Sequence, residues 1–226
     1  MIDQPDLKEM IKLLGDSTRF DLLNLMMDAR FSTVHELAKS LKLKDQTISY
    51  HLGKMLEADW LESYKQGRNV YYRLANSELA ELIEQLSVLK PRVATHSYNQ
   101  SQEFQAIKVG RTCYHHLAGE MAVDYFAFLE AQEFILLENQ QIRLTTAGEA
   151  YFSEIGLDMM KLKQSSGTLL KPCMDWTERT FHLSGNIGKA FLQLLEDRAF
   201  VVRNSDNRAI KWTERGQSFV EAGYRI

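Results

Sequence analysis

The sequence predicts a mainly α chain with small β-hairpins, an α+β protein in two parts, and three observations predict it. Apolar residues recur at helical spacing from Leu7 to about Ala58, and after Asp59 the period changes to the alternation of strands. Within that stretch two helices are separated by a short turn, and a hairpin follows them, which is the order of a winged helix-turn-helix. The C-terminal half then repeats itself: His116-Leu117-Ala118-Gly119 recurs as His182-Leu183-Ser184-Gly185, with Phe126 and Phe134 answered by Leu192 and Phe200 at the same offsets. The expected organisation is a winged helix-turn-helix at 1–90, a linker at 91–110, and at 111–226 a domain of two duplicated winged-helix-like lobes.

Each element has a local cause. Leu7, Met10, Ile11 and Leu14 mark a first helix, and Phe20, Leu22, Leu23, Leu25 and Met26 a second; Gly15-Asp16-Ser17 supplies the break and a cap between them. Thr33-Val34-His35-Glu36 is a capping box opening a short helix through Ser40, and Leu41 to Lys44 is a turn. Asp45 is expected to cap the next helix, Gln46 to about Ala58, with Ile48, Leu52, Met55 and Leu56 on one face. Trp60–Tyr64 and Val70–Leu74 are β-rich, and Lys65-Gln66-Gly67-Arg68-Asn69 is the hairpin tip. Ser77 to Lys90 is helical and stopped by Pro91; its Leu79, Leu82, Leu86 and Leu89 form a 3-4-3 seam suited to a partner helix. In the C-terminal half each copy reads helix, strand, turn, strand, helix and closes on Thr145-Thr146-Ala147-Gly148 or Thr213-Glu214-Arg215-Gly216.

Composition narrows the function. A chain of 226 residues with 45% hydrophobic and 25% charged residues has a sizeable core and no fibrous or disordered bias. No apolar run approaches the roughly 20 residues of a membrane span, and Met1 to Asp6 has neither the basic start nor the apolar stretch of a signal peptide, so a cytoplasmic location is expected. Cys113 and Cys173 stand far apart with no CxxC, which excludes a disulfide framework and a metal site built mainly of cysteines. The net charge of −3 is poor for a polyanion partner, but Lys39 to Arg73 holds seven basic against four acidic residues, an excess of three where the helices and hairpin lie. No Gly-rich phosphate loop, HExxH or GxSxG element is present, so no enzyme is expected.

With Ile48, Leu52, Met55 and Leu56 turned inward, Gln46, Thr47, Tyr50 and Lys54 point outward and Ser49 and His51 flank them. These side chains suit base edges in the major groove of double-stranded DNA. Lys65 and Arg68 on the hairpin suit the neighbouring minor groove, and Thr33 at a helix N-terminus suits a phosphate. His51 has two readings, a DNA contact or packing against the turn, and Arg19 has two, a phosphate contact or, favoured, a structural ion pair. His35 reads as solvated.

Leu14 to Leu23 (LGDSTRFDLL), Glu36-Leu37-Ala38, Thr47 to Leu52 (TISYHL) and Gly67 to Leu74 (GRNVYYRL), in that order, resemble the ArsR/SmtB family of bacterial regulators over roughly the first 90 residues. The resemblance implies a homodimer that binds an operator and represses until a signal releases it, with dimer contacts from the first helix and the helix from Ser77 to Lys90. The cysteines with which many members sense metal are missing from Glu36-Leu37-Ala38-Lys39-Ser40, and Ser77 to Lys90 lacks the Asp/His set of the other known site. No metal site and no cofactor are therefore assigned. The competing reading is a winged-helix protein-interaction scaffold without sequence-specific DNA binding, which would need aromatic or aliphatic anchors on the outward face.

The C-terminal half lies outside the resemblance. There Cys113, His115, His116, Cys173, Trp176 and His182 are candidates for an effector site, taking a small molecule, a transition metal or a redox signal. Against this, free cysteine is also a small buried hydrophobe, and His116 and His182 are equivalent in the repeat, which suggests a shared packing role; Cys113 and Cys173 are not equivalent, which favours individual roles.

Overall fold

The computed structural model describes residues 7–28, 30–75, 77–88, 102–138, 141–204 and 207–226. The chain divides into two compact units, Met1–Ile83 and Glu84–Ile226. In the first, α1 (Leu7–Leu14) and α2 (Ser17–Leu25) precede a single 3-10 turn and the short strand β1 (Ser32–Thr33). Then come α3 (Val34–Leu41), α4 (Asp45–Glu57), the hairpin β2 (Leu61–Gln66) and β3 (Asn69–Leu74), and α5 (Ser77–Val88), which carries the chain across the division between units.

The caps explain where these helices start. Asp16 caps α2 by accepting from the Arg19 N–H at 3.0 Å, and the Arg19 guanidinium donates to the carbonyls of Leu13 and Lys12, both at 2.8 Å. A cation there satisfies carbonyls that α1 leaves unpaired at its C-terminus. Thr33 and Glu36 form the reciprocal capping box of α3. That helix ends on Lys42 in the left-handed region, with Leu43 N–H bonded to the Ala38 carbonyl. The cap of α4 is Lys44, one residue before the expected Asp45, and no side chain bonds the first turn. Asp45 is instead paired at 3.3 Å with His35 on α3.

Strand β1 adds to the hairpin in the order β1-β3-β2, with Ser32 opposite Tyr72 and Thr33 opposite Tyr71. Two residues are too few to show alternation, so sequence pattern gave no sign of this third strand. The hairpin is longer than expected, running to Gln66 opposite Asn69, and its tip is Gly67-Arg68 with Gly67 at φ +61°. Helix α5 is described through Val88; Leu89 of the seam and Lys90 lie outside the described residues.

The second unit contains α6 (Gln102–Val109), inside the stretch expected to be linker. Beyond it one order occurs twice. Hairpin β4 (Arg111–Cys113) and β5 (His116–Ala118) leads to α7 (Glu120–Ala131), hairpin β6 (Ile135–Glu138) and β7 (Gln141–Leu144), and α8 (Thr146–Glu154). After α9 (Met159–Gln164), hairpin β8 (Lys171–Met174) and β9 (Phe181–Ser184) leads to α10 (Gly185–Asp197), hairpin β10 (Val201–Arg203) and β11 (Ile210–Trp212), and α11 (Glu214–Glu221). Each copy therefore has an opening hairpin that the sequence reading lacked.

Contacts repeat with the elements. Phe134 stacks on Tyr151 and Phe200 on Phe219, with ring centroids 4.4 and 4.7 Å apart. Thr145 caps α8 and Thr213 caps α11, each accepting from the glycine three residues on. Those glycines, Gly148 and Gly216, lie so close to the Phe134 and Phe200 carbonyl oxygens that a Cβ would come within 2.0 and 1.9 Å of them. That close approach is the reason each copy closes on Thr-x-x-Gly. Across the middle of the unit Tyr125 of α7 stacks on Phe191 of α10, nearly parallel at 3.9 Å.

Candidate nucleic-acid interface and effector cluster

Helix α4 is held by Ile48, Leu52 and Met55, all buried, and so presents Gln46, Thr47, Ser49 and Tyr50 outward from its first two turns. Tyr50 is 61% exposed, unusual for so large an aromatic ring in a folded unit. These four side chains offer hydroxyls, a carboxamide and a ring at the helix end that enters a groove first. Lys54 lies one turn further and donates to Glu57 at 2.8 Å, which raises its pKa and must be exchanged before the amine can hold a phosphate. On the hairpin, Lys65 and Arg68 are exposed. Arg73 is committed elsewhere: it pairs with Glu62 and lies 4.4 Å over the Phe31 ring.

Two of the expected contacts are placed differently. His51 is buried, 3.7 Å from the Asp16 carboxylate, so its position follows the packing alternative. The Arg19 N–H, followed by the Arg19 and His51 charges, holds the Asp16 carboxyl below its ordinary pKa against the opposing effect of burial. Thr33 spends its hydroxyl on Glu36, and the Glu36 carboxylate takes the Thr33 N–H at 2.7 Å. A phosphate seated there would meet that negative charge. The capping box thus engages the threonine hydroxyl that the sequence offered to a phosphate.

The sequence profile described as "Bacterial regulatory protein, arsR family" matches residues 16–63, from the α2 cap through the start of the hairpin. Over 94% of its length, and 94% of the relative's, the chain is 34% identical to the HTH-type transcriptional regulator YdfF of Bacillus subtilis. The chain belongs to the ArsR family of bacterial regulatory proteins. It is also similar to the HTH-type transcriptional regulator KmtR of Mycobacterium tuberculosis, 31% identical over a third of this chain and 57% of that one. Among solved structures, the transcriptional repressor PagR of Bacillus anthracis is 28% identical, with a TM-score of 0.33 over 36% of this chain and 92% of that one. This ArsR-family chain is a DNA-binding transcriptional regulator. Among the described residues, no helix is long and apolar enough to cross a membrane.

Of the six effector candidates, the ArsR-family chain brings four together. Cys113, His116, Cys173 and His182 offer donor atoms that all lie within 4.8 Å of one another. His115 instead packs on the Tyr114 ring, and Trp176 lies between Phe104 and the Arg111 guanidinium. Sequence reasoning treated the cysteines as inequivalent because they precede their histidines by different intervals. The strand register corrects this: Cys113 faces His116 across β4–β5, and Cys173 faces His182 across β8–β9. Only the connecting loops differ in length. What sequence reasoning missed entirely is the polar chain behind His182. Asp175 Oδ2 lies 3.2 Å from His182 Nδ1, and Asp175 Oδ1 accepts from the buried Arg111 at 3.0 Å. Arg111 lies 3.9 Å from buried Glu84 on α5, which also accepts from Arg208 at 2.8 Å. Burial alone would raise the Asp175 pKa, but His182 and Arg111 outweigh it and hold the carboxyl far below the usual range.

Proposed function

We propose that this regulator is a homodimeric, operator-binding repressor that is released by a signal acting on its C-terminal unit. The observation that carries the reading is the outward face of α4, where Gln46, Thr47, Ser49 and Tyr50 stand exposed beside a wing bearing Lys65 and Arg68. α4 then enters the major groove and Arg68 follows the minor groove alongside. The dimer is supported by α1, in which no residue is buried although Leu7 and Ile11 lie one turn apart, 66% and 68% exposed. Covering such side chains is worth about 1.5–3 kcal/mol each. Leu82 and Leu86 on α5 are half-buried and extend the same kind of surface.

The C-terminal unit is a duplication of one winged-helix-like lobe, supported by the repeated element order and the repeated Phe134–Tyr151 and Phe200–Phe219 stacks. Its helices before each second hairpin are unsuited to phosphate. α7 carries Glu120, Asp124 and Glu130 with no basic residue, and α10 sets one lysine against two acids. These lobes receive the signal and do not read DNA.

Selection of bound duplexes from a random-sequence pool by the full chain tests the reading. The expected enrichment is a two-fold-related motif with half-sites about 10 base pairs apart. Binding with no enriched sequence would overturn operator recognition, and enrichment of a single half-site would overturn the dimer.

A further inference from the structure

The two opening hairpins of the C-terminal unit present the same pair of groups in the same register: a cysteine on the first strand and, directly opposite, a histidine on the second. Side chains in such cross-strand pairs leave one face of the hairpin together, with Cβ atoms about 5 Å apart. The faces meet, so that His116 Nε2 and His182 Nε2 are 3.0 Å apart and both sulfurs lie in the same cluster. Both thiols are free of disulfides; Cys113 and His182 are buried, and His116 and Cys173 are half-buried.

We propose that Cys113, His116, Cys173 and His182 form a closed tetrahedral site for a zinc-class divalent transition ion, which fastens the β4–β5 hairpin to the β8–β9 hairpin. The donor set points to that ion. Two thiolates with two imidazoles and no carboxylate in direct reach disfavour calcium, magnesium and manganese and suit zinc. Zinc bonds of about 2.0–2.3 Å place tetrahedral donors about 3.3–3.8 Å apart, a spacing that small side-chain adjustments reach from the observed cluster. Asp175 supplies the outer support that zinc-binding histidines have. Its Oδ2 lies 3.2 Å from His182 Nδ1, within reach of the proton that nitrogen carries when Nε2 binds the ion, while Arg111, Thr177 and the Gly119 N–H hold the carboxylate. The protein fills all four positions, so the ion is structural or signal-bearing and has no place for a reacting water. The four residues lie outside residues 16–63 and within the C-terminal unit, and the site rests on no assumption about DNA or dimerisation.

The repeat motif now has a chemical reading. In each His-Leu-x-Gly the histidine is the ligand, the leucine is a buried core residue, and the glycine turns the chain into α7 or α10.

The test uses untagged, reduced, full-length chain, stripped with chelator and titrated with Zn(II), or with Co(II) as the coloured stand-in. One ion per chain is expected. Co(II) should give the intense visible bands of a tetrahedral ion with thiolate-to-metal charge transfer. Cys173→Ser, which removes one of the two thiolates, should lose part of the charge transfer, and both Cys173→Ser and His116→Ala, at half-buried positions, should weaken binding by tenfold or more, while His115→Ala binds as wild type. Asp175→Asn should bind about 10–100-fold more weakly with the same spectrum. Circular dichroism of the stripped variants establishes that they fold. Weak octahedral Co(II) spectra, or zinc stoichiometry and affinity unchanged in both folded Cys173→Ser and His116→Ala, would overturn the site. So would a Cys113–Cys173 disulfide that forms as fast with equimolar Zn(II) as without it.

Discussion

Glu84 is where buried charge should matter most. It is 2% exposed, accepts from Arg208 at 2.8 Å and lies 3.9 Å from Arg111, all within the C-terminal unit. Burial alone would raise its pKa, but Arg208 and then Arg111 outweigh that and leave the carboxyl below its ordinary value, so Glu84 is ionised at neutral pH. Glu84→Ala leaves the Arg208 guanidinium, itself buried, without this carboxylate, while Arg111 keeps Asp175 at 3.0 Å. Breaking a buried pair from one side costs about 3–5 kcal/mol. With a urea dependence of about 2 kcal/mol per molar, the unfolding midpoint of the C-terminal unit should fall by about 1.5–2.5 M. Trp60 belongs to the N-terminal unit and Trp176 and Trp212 to the C-terminal one, so fluorescence of a Trp60→Phe background reports the C-terminal unit alone. Glu84→Met with Arg208→Met should recover part of the loss, because an apolar pair removes the orphaned charge. A loss below about 1 kcal/mol in Glu84→Ala, or a double variant less stable than the single, would refute the argument.

Three further outcomes follow from the N-terminal unit and the dimer surface. Tyr50→Ala should cost about 1–3 kcal/mol of operator affinity and relax sequence preference, whereas Arg68→Ala should reduce the salt slope by about one without changing the motif, both read by binding titrations across salt. Leu82→Glu with Leu86→Glu should yield monomers by sedimentation, with operator binding weakened in parallel. Asp16→Ala should cost about 0.5–2 kcal/mol in thermal or urea unfolding at neutral pH. Because the folded Asp16 pKa is depressed, its contribution is present above the ordinary carboxylate range and disappears as pH falls through the folded value. Wild type and variant should therefore converge in acid.

Features set by residues near in sequence were legible. The capping box at Thr33, the break at Asp16, the glycine turn of the wing and the inward face of α4 each depend on groups within a few positions, and pattern suffices for those. The outward face of α4 followed from the same periodicity, but the fate of individual side chains on it did not. His51 lies toward Asp16 and Thr33 is consumed by its own cap, and both depend on what a neighbouring element offers. The burial of Glu84 left no mark in local pattern, because its partner Arg208 is 124 positions away. The cysteines looked inequivalent in the repeat for a different reason. Their equivalence is one of strand register, and loops of unequal length hide register from any count along the chain.

These placements also constrain how a signal at the metal cluster would reach DNA. His182, Asp175, Arg111 and Glu84 follow one another at 3.2, 3.0 and 3.9 Å, and the last is on α5, whose Leu82 and Leu86 belong to the proposed dimer surface. Proximity alone transmits nothing; the ion must bind the operator-competent and released forms with different affinity. If it does, linkage demands reciprocity: whatever factor Zn(II) applies to operator affinity, operator must apply to Zn(II) affinity, a tenfold effect corresponding to about 1.4 kcal/mol. Measuring both ratios on wild type and on Glu84→Gln decides the matter. Equal ratios different from one, brought toward one by Glu84→Gln, would establish the cluster as the signal site with Glu84 in its path. Ratios of one in both directions would make the ion a fastener of the two hairpins and leave the signal to another part of the C-terminal unit.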